Sequence, residues 1–181
     1  QFLKYCLLFV LFFVFGKAKA THIVGGDLTY VYNGGTSYTF TLTLYRDCQN
    51  STTTFPNPAG GGGGGSTAAP KLYVYYSSGF TPATLGTAYG AGLSLAFAPG
   101  YNTTGTTVSP YYYSPCLTFP SGLCVKKAVY TATTNLPATP GGYTIIYQNC
   151  CRNASVNFNI NTSQDGATYM CEVPGSPYQA N

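Results

Sequence analysis

The stretch "SYTFTLTLY", Ser37 to Tyr45, constrains this chain more than any other feature of its sequence. In it Tyr38, Phe40, Leu42 and Leu44 alternate with Ser37, Thr39, Thr41 and Thr43. A period of two places the four apolar side chains on one face of an extended strand and the hydroxyls on the other. A helix turns about 100° per residue and would scatter the same set around its axis. Just upstream, "NGG" at Asn33 to Gly35 supplies residues that tolerate positive φ, so residues 22 to 45 read as a β-hairpin. Further strands are expected at Lys71 to Tyr76, Leu93 to Ala98, Val125 to Thr133, Tyr143 to Gln148, Ser155 to Ile160 and Thr168 to Val173. Each is β-branched or aromatic and bounded by Gly, Pro or Asn. After residue 20 no stretch keeps a helical period. The expected fold is all-β, a disulfide-stapled β-sandwich of Ig-like or related architecture.

The first twenty residues read differently. Lys4 gives a basic edge, "CLLFVLFFVF" (Cys6 to Phe15) is a short apolar run, and "AKA" (Ala18 to Ala20) has the small-x-small pattern of a cleavage site. This is the layout of a secretory signal peptide, with the mature chain starting at Thr21. The run is too short to cross a hydrocarbon layer of about 30 Å as a helix, so no membrane insertion is expected after cleavage. Removing residues 1 to 20 takes away three of the eight Lys and Arg residues and lowers the net charge from +4 to +1. Charge then gives no reason to expect a nucleic-acid partner. Residues 21 to 181 suit a single domain, expected to be the N-terminal part of a longer chain. Within it, "AGGGGGGST" (59 to 67) reads as a flexible loop between strands, since no Lys-Ser/Thr follows the glycines to make a phosphate cradle.

Export also explains the cysteines. Beyond Cys6 there are six: Cys48, Cys116, Cys124, Cys150, Cys151 and Cys171. An even set behind a signal peptide reads as disulfides. On a strand the vicinal Cys150 and Cys151 point to opposite faces, so they suit different partners rather than each other. Cys116 and Cys124 enclose "LTFPSGL", a loop able to close on itself, which leaves Cys48 and Cys171 for the vicinal pair in either order. No Cys-x-x-Cys motif exists for thiol redox work or for zinc.

Catalysis needs titratable groups, and few are present. The chain has one histidine, His22, and four carboxylates, Asp27, Asp47, Asp165 and Glu172, far apart in sequence. There is no Gly-x-Ser-x-Gly elbow. No enzyme activity and no cofactor are expected; a single weak calcium site at Asp27, Asp47 or Asp165 is the most the carboxylates offer. Eighteen tyrosines are the more telling feature. "LYVYYSSGF" and "PYYYSP" mark Tyr73, Tyr75, Tyr76, Tyr111, Tyr112 and Tyr113 as a candidate contact surface, because phenol rings can stack on sugars or fill a protein interface.

Three segments together resemble a known class: "HIVGGDLTYVYNGGTSYTFTLTLYRDCQN", "PCLTFPSGLCVKKAVYTATTNLPATPGGYTIIYQNCCRN" and "GATYMCEVPGSPYQAN". They look like the N-terminal module of large secreted Bacteroidota surface proteins, chains that often carry PKD-type Ig-like repeats and a gliding-motility-type C-terminal sorting domain for type IX secretion. The chain departs from that pattern in having Tyr32 where such modules often carry a cysteine after "LTY". The resemblance implies an exported β-module of adhesin-like role and carries over no catalytic residues. The expected function is therefore a non-catalytic structural or adhesive module at the cell surface, contacting an extracellular protein or glycan. A glycan-binding module, a self-associating filament subunit and a secreted hydrolase are the rival readings.

Overall fold

The structure is a computed structural model that describes residues 23–49, 53–60, 69–83, 92–109, 122–149 and 166–176. The regular structure among them is all β-strand: β1 (Ile23–Gly34), β2 (Ser37–Asp47), β3 (Lys71–Tyr76), β4 (Thr81–Pro82), β5 (Leu93–Ser94), β6 (Ala96–Phe97), β7 (Thr106–Thr107), β8 (Val125–Asn135), β9 (Tyr143–Asn149) and β10 (Ala167–Val173). They form two antiparallel sheets, ordered β1-β2-β8-β6 and β10-β9-β3-β4, with β7 also paired to β8 and β5 to β3. The expected all-β sandwich is the observed fold.

The alternation in β2 does what its period demands. Tyr38, Phe40, Leu42, Leu44 and Arg46 are buried, and the residues between them are half-buried on the outer side. β2 pairs with β8 from Ser37↔Asn135 to Asp47↔Val125, so Ala132, Tyr130 and Ala128 lie opposite Phe40, Leu42 and Leu44. The two alanines leave room for the Tyr130 ring between them. Its hydroxyl donates to the Pro56 carbonyl at 2.8 Å, which satisfies the one polar atom the ring carries into the core. Burial, and then the neighbouring Tyr147, push its ionisation far above the ordinary phenol range. From the other sheet Leu72, Val74, Ile145 and Tyr147 complete one continuous core. Each such side chain contributes roughly 1.5–3 kcal/mol by leaving water.

Both sides of the sandwich are closed, by different means. On one side the strand expected over Leu93 to Ala98 is split. Leu93 and Ser94 pair with β3, whereas Ala96 and Phe97 pair with β8. The chain changes sheets at Leu95, which is 2% exposed. Periodicity alone cannot reveal such a switch, because both halves keep their alternation. On the other side β1 approaches β10 at Gly26, where a Cβ would meet the Thr43 carbonyl at 2.6 Å and the Tyr169 ring at 3.1 Å. Glycine is required there by space. The passage from β8 to β9 is fixed by Tyr143, whose hydroxyl donates to the Pro137 carbonyl at 2.7 Å, the tyrosine-corner device of sandwich folds. The strand expected at Ser155 to Ile160 lies outside the described residues.

The cysteine pairing differs from expectation. Cys124 bonds Cys48 and not Cys116, with Cα atoms 5.1 Å apart and a sequence separation of 76. The reason is register. Asp47↔Val125 is the last pair of the β2–β8 ladder, so the next residues outward are Cys48 and Cys124, joined also by a backbone hydrogen bond of 2.9 Å. Cys171 on β10 is a free thiol, not a partner of the vicinal pair, while Cys116, Cys150 and Cys151 lie outside the described residues. Closing so long a loop restrains the unfolded chain by about 4–5 kcal/mol on loop entropy. Cys48→Ser paired with Cys124→Ser is expected to lower unfolding stability by about 2–5 kcal/mol in urea titrations. A loss below 0.5 kcal/mol would show that the bond restrains little.

Candidate contact surface

Strand β3, "KLYVYY", decides where the predicted tyrosines go. Leu72 and Val74 are buried, so Tyr73 and Tyr75, of opposite parity, face outward. Tyr76 shares the parity of Val74 and turns inward, its ring centroid 5.5 Å from that of Tyr143. It is partly buried and packs against the core. Tyr111, Tyr112 and Tyr113 lie outside the described residues.

Register extends this outer face across the sheet. Tyr73 is opposite Ile146, which is opposite Met170; Tyr75 is opposite Thr144, which is opposite Glu172. Ile146 and Thr144 form a buried spine, with the Thr144 hydroxyl hydrogen-bonded to Ser77 Oγ at 2.9 Å. Beside the spine stand exposed apolar groups: Tyr73 at 39%, Met170 at 53% and Phe80 at 55% of their full exposure. Phe80 comes from the β3–β4 turn and stacks on Tyr75, ring centroids 5.0 Å apart and planes 18° from parallel. Its φ is +52°, a left-handed conformation that costs a non-glycine residue about 1–2 kcal/mol. The backbone strain thus holds a large apolar ring in water, an arrangement that packing alone would not produce. Phe80 was not legible as a surface anchor from sequence, since neither strand parity nor residue type marks a turn residue as exposed, whereas Met170 follows the outward parity of Thr168 and Glu172 on β10.

The opposite outer face, on the first sheet, is of another kind. Thr39, Thr41 and Thr43 on β2 stand beside Thr133, Thr131 and Val129 on β8. The Thr39 and Thr133 hydroxyls are hydrogen-bonded at 2.8 Å, and Asn33 donates to Thr39 Oγ1 at 2.9 Å. That face is mainly hydroxyl, with Val31, opposite Thr39 and 62% exposed, as its apolar exception.

Among the described residues the carboxylates Asp27, Asp47 and Glu172 lie at separate places in the fold. Asp27, opposite Thr43, lies on the hydroxyl face, and Glu172, opposite Thr144, lies on the apolar face. Asp47 Oδ1 accepts from the Gln49 amide at 2.8 Å in a local turn. His22 and Asp165 lie outside the described residues. Among the described residues no three His, Cys, Asp or Glu side chains come together as a metal would need, and no helix is long and apolar enough to cross a membrane. Arg46, which sequence reasoning passed over, is 4% exposed with its Nε unpaired. Its guanidinium lies 5.2 Å from the centroid of the buried Phe55 ring, a cation–π contact that ties the 53–60 segment to the core. Burial lowers its pKa while Asp47 opposes the shift, so it stays charged.

Comparison with protein-family models, with curated proteins and with solved structures finds no match. The likeness to secreted Bacteroidota modules therefore rests on the sequence motifs alone.

Two measurements check this description. Phe80→Gly relieves the left-handed backbone and Phe80→Ala does not, while both remove the stack on Tyr75. The glycine variant is expected to be the more stable by about 1 kcal/mol in urea titrations, the reverse of the usual order. Burial raises the Cys171 thiol pKa from 9.0 to about 11. Because the unfolded chain gives up this proton first, the thiol's contribution to stability is intact below about pH 9 and is lost as the pH climbs to about 11. Iodoacetamide at pH 8, followed by peptide mass mapping, is expected to label Cys171 far more slowly in folded than in urea-unfolded protein. Equal rates would contradict the burial.

Proposed function

We propose that this protein is a non-catalytic, extracellular structural and adhesive module of a bacterial cell-surface protein, exported by the segment 1–20. The outer face carrying Tyr73, Tyr75, Phe80 and Met170 is its contact surface. The observation that carries the reading is the difference between the two outer faces. One is mainly hydroxyl, with Val31 as its apolar exception, while the other groups aromatic and thioether side chains, one of them at a cost in backbone strain. Apolar groups kept exposed in this way suit a partner surface that covers them. The Cys48–Cys124 bond supports an oxidising compartment, and the resemblance to secreted surface modules supports the cell-surface role.

A sugar-stacking platform at the same face would need rings side by side in one plane. Tyr75 and Phe80 instead lie one upon the other, which favours an inserted protein side chain over a flat pyranose. The filament reading draws on β1, whose twelve residues form the edge of the first sheet, with Val24 and Val31 exposed and Asp27 its one charge. An edge so lightly guarded can accept another strand.

Beads coated with the oxidised protein can be assayed for retention on immobilised extracellular-matrix proteins and on cells. Tyr75→Ala combined with Phe80→Ser is expected to cut retention about tenfold, the equivalent of one anchor contact. Thr41→Ala combined with Thr131→Ala, on the hydroxyl face, should leave it unchanged. Equal losses from both faces, or none from the first, would overturn the assignment.

A further inference from the structure

The first sheet ends at β1, and the backbone there has hydrogen bonds to give. In the ladder between β2 and β8 the Cys48 amide bonds the Cys124 carbonyl directly opposite it at 2.9 Å, and past the other end the Leu136 amide bonds the Thr36 carbonyl. Even-numbered residues of β2 therefore aim their N–H and C=O groups at β8, and odd-numbered ones aim theirs at β1. On β1 the residues that answer are Asp27, Thr29 and Val31, opposite Thr43, Thr41 and Thr39. Gly26, Leu28 and Tyr30 alternate with them, so their backbone groups point away from the sheet. Among the described residues nothing pairs with these groups, since β1 is the edge of its sheet. Irregularities at Val24 and Asn33 break the register near both ends, but residues 25–32 between them run regular.

An open strand edge is covered by another strand, and the residues of β1 say which one. Two copies of 25–32, paired antiparallel about a twofold axis at Leu28, match each other position by position. On the inner face Gly26 stands opposite Tyr30 of the partner, and on the outer face Gly25 stands opposite the partner's Val31. Each glycine thus meets a large side chain that is not fully buried within its own copy; Val31 is 62% exposed. Aromatic and β-branched residues across from an edge glycine supply the contact that the glycine lacks. Asp27, the one charge of β1, stands opposite the partner's Thr29, whose hydroxyl can donate to the carboxylate. The Leu28–Leu28 pair and the two Gly26–Tyr30 pairs fall on the outward-pointing backbone groups, with two hydrogen bonds in each pair. Other centres fit worse. An axis at Asp27 sets two carboxylates face to face, and one at Thr29 sets Asp27 against Val31. An axis at Tyr30 carries both glycines past the irregularity at Asn33. Eight residues at about 3.3 Å each, on a side about 20 Å high, cover roughly 500 Å² per copy. The total of about 1,000 Å² is the lower limit of a specific interface, so the contact is expected to be weak and reversible.

We propose that two copies of this protein associate through β1, as a twofold antiparallel pair centred on Leu28 that continues the first sheet from one copy into the other. Such a contact uses the same patch on both copies and closes at two. It rests on the open edge from which the filament reading also draws, and gives that edge a different outcome, a dimer in place of an open chain. It does not depend on Tyr75 and Phe80 binding anything.

Analytical ultracentrifugation of the oxidised protein from ~1 to ~500 μM tests it, and is expected to show a reversible monomer–dimer equilibrium with no larger species. Thr29→Asp sets a carboxylate opposite Asp27 twice in the pair and is expected to weaken dimerisation about tenfold. Combining it with Asp27→Lys turns both contacts into ion pairs and is expected to restore the wild-type constant. Both positions are exposed, so the fold is retained. Oxidation of a mixture of Asp27→Cys and Thr29→Cys proteins reads the register. These positions lie directly opposite each other across the axis, with Cβ atoms about 4.5–5.5 Å apart, whereas equal positions lie on a diagonal of about 7–8 Å, beyond disulfide reach. Peptide mapping is expected to find the cross-link in the mixture and in neither protein alone. A protein that stays monomeric over the whole range overturns the proposal. So does a dimer that ignores Thr29→Asp or yields no mixed cross-link, because the contact then lies elsewhere. Growth beyond two copies overturns it in favour of the filament. Tyr75→Ala combined with Phe80→Ser is expected to leave dimerisation unchanged, which separates a failure of the contact-face reading from a failure of this one.

Discussion

Everything in this fold hangs on the antiparallel ladder between β2 and β8. It joins residues 37–47 to residues 125–135, segments almost ninety positions apart, through eleven consecutive pairs. That long-range pairing sets which side chains meet in the core, places Tyr130 between two alanines, and carries Cys48 and Cys124 into bonding distance at its end. Loop-closure entropy makes such a ladder slow and costly to form from an open chain. The disulfide closes one end of it and the Tyr130–Pro56 hydrogen bond acts at its middle, and both hold the long excursion of residues 48–124 against the sheet.

The two sheets share one core but meet the outside differently. In the first sheet, outward positions are largely threonine, a residue that suits strands by its branching and water by its hydroxyl. In the second, the outward positions of β3 and β10 carry tyrosine and methionine, and the turn after β3 adds Phe80. A sandwich built only for stability has no use for that asymmetry.

Much of the architecture was legible because period-two alternation is a direct physical imprint of a half-buried strand. The hairpin of β1 and β2 and the strands β3, β8, β9 and β10 lie where alternation and turn residues put them. Three things were hidden for stated reasons. The switch of sheets at Leu95 preserves alternation, so it leaves no mark in a pattern of residue types. The partner of Cys124 depends on ladder register, which short sequence separation between Cys116 and Cys124 misrepresents. Tyr76 was grouped with its neighbours by residue type, although its parity with Val74 already turned it inward.

In the adhesive role proposed above, the Cys48–Cys124 bond would have a mechanical meaning. Under tension applied outside the bonded pair, the strands can be peeled apart, yet the 76-residue separation between the two cysteines stays withheld from the stretched chain. At about 3.3–3.6 Å per extended residue, roughly 250 Å of contour length is locked away until the bond is reduced. The module would therefore behave as a tether whose reach is set by redox state: limited when oxidised, and longer by roughly 250 Å when reduced.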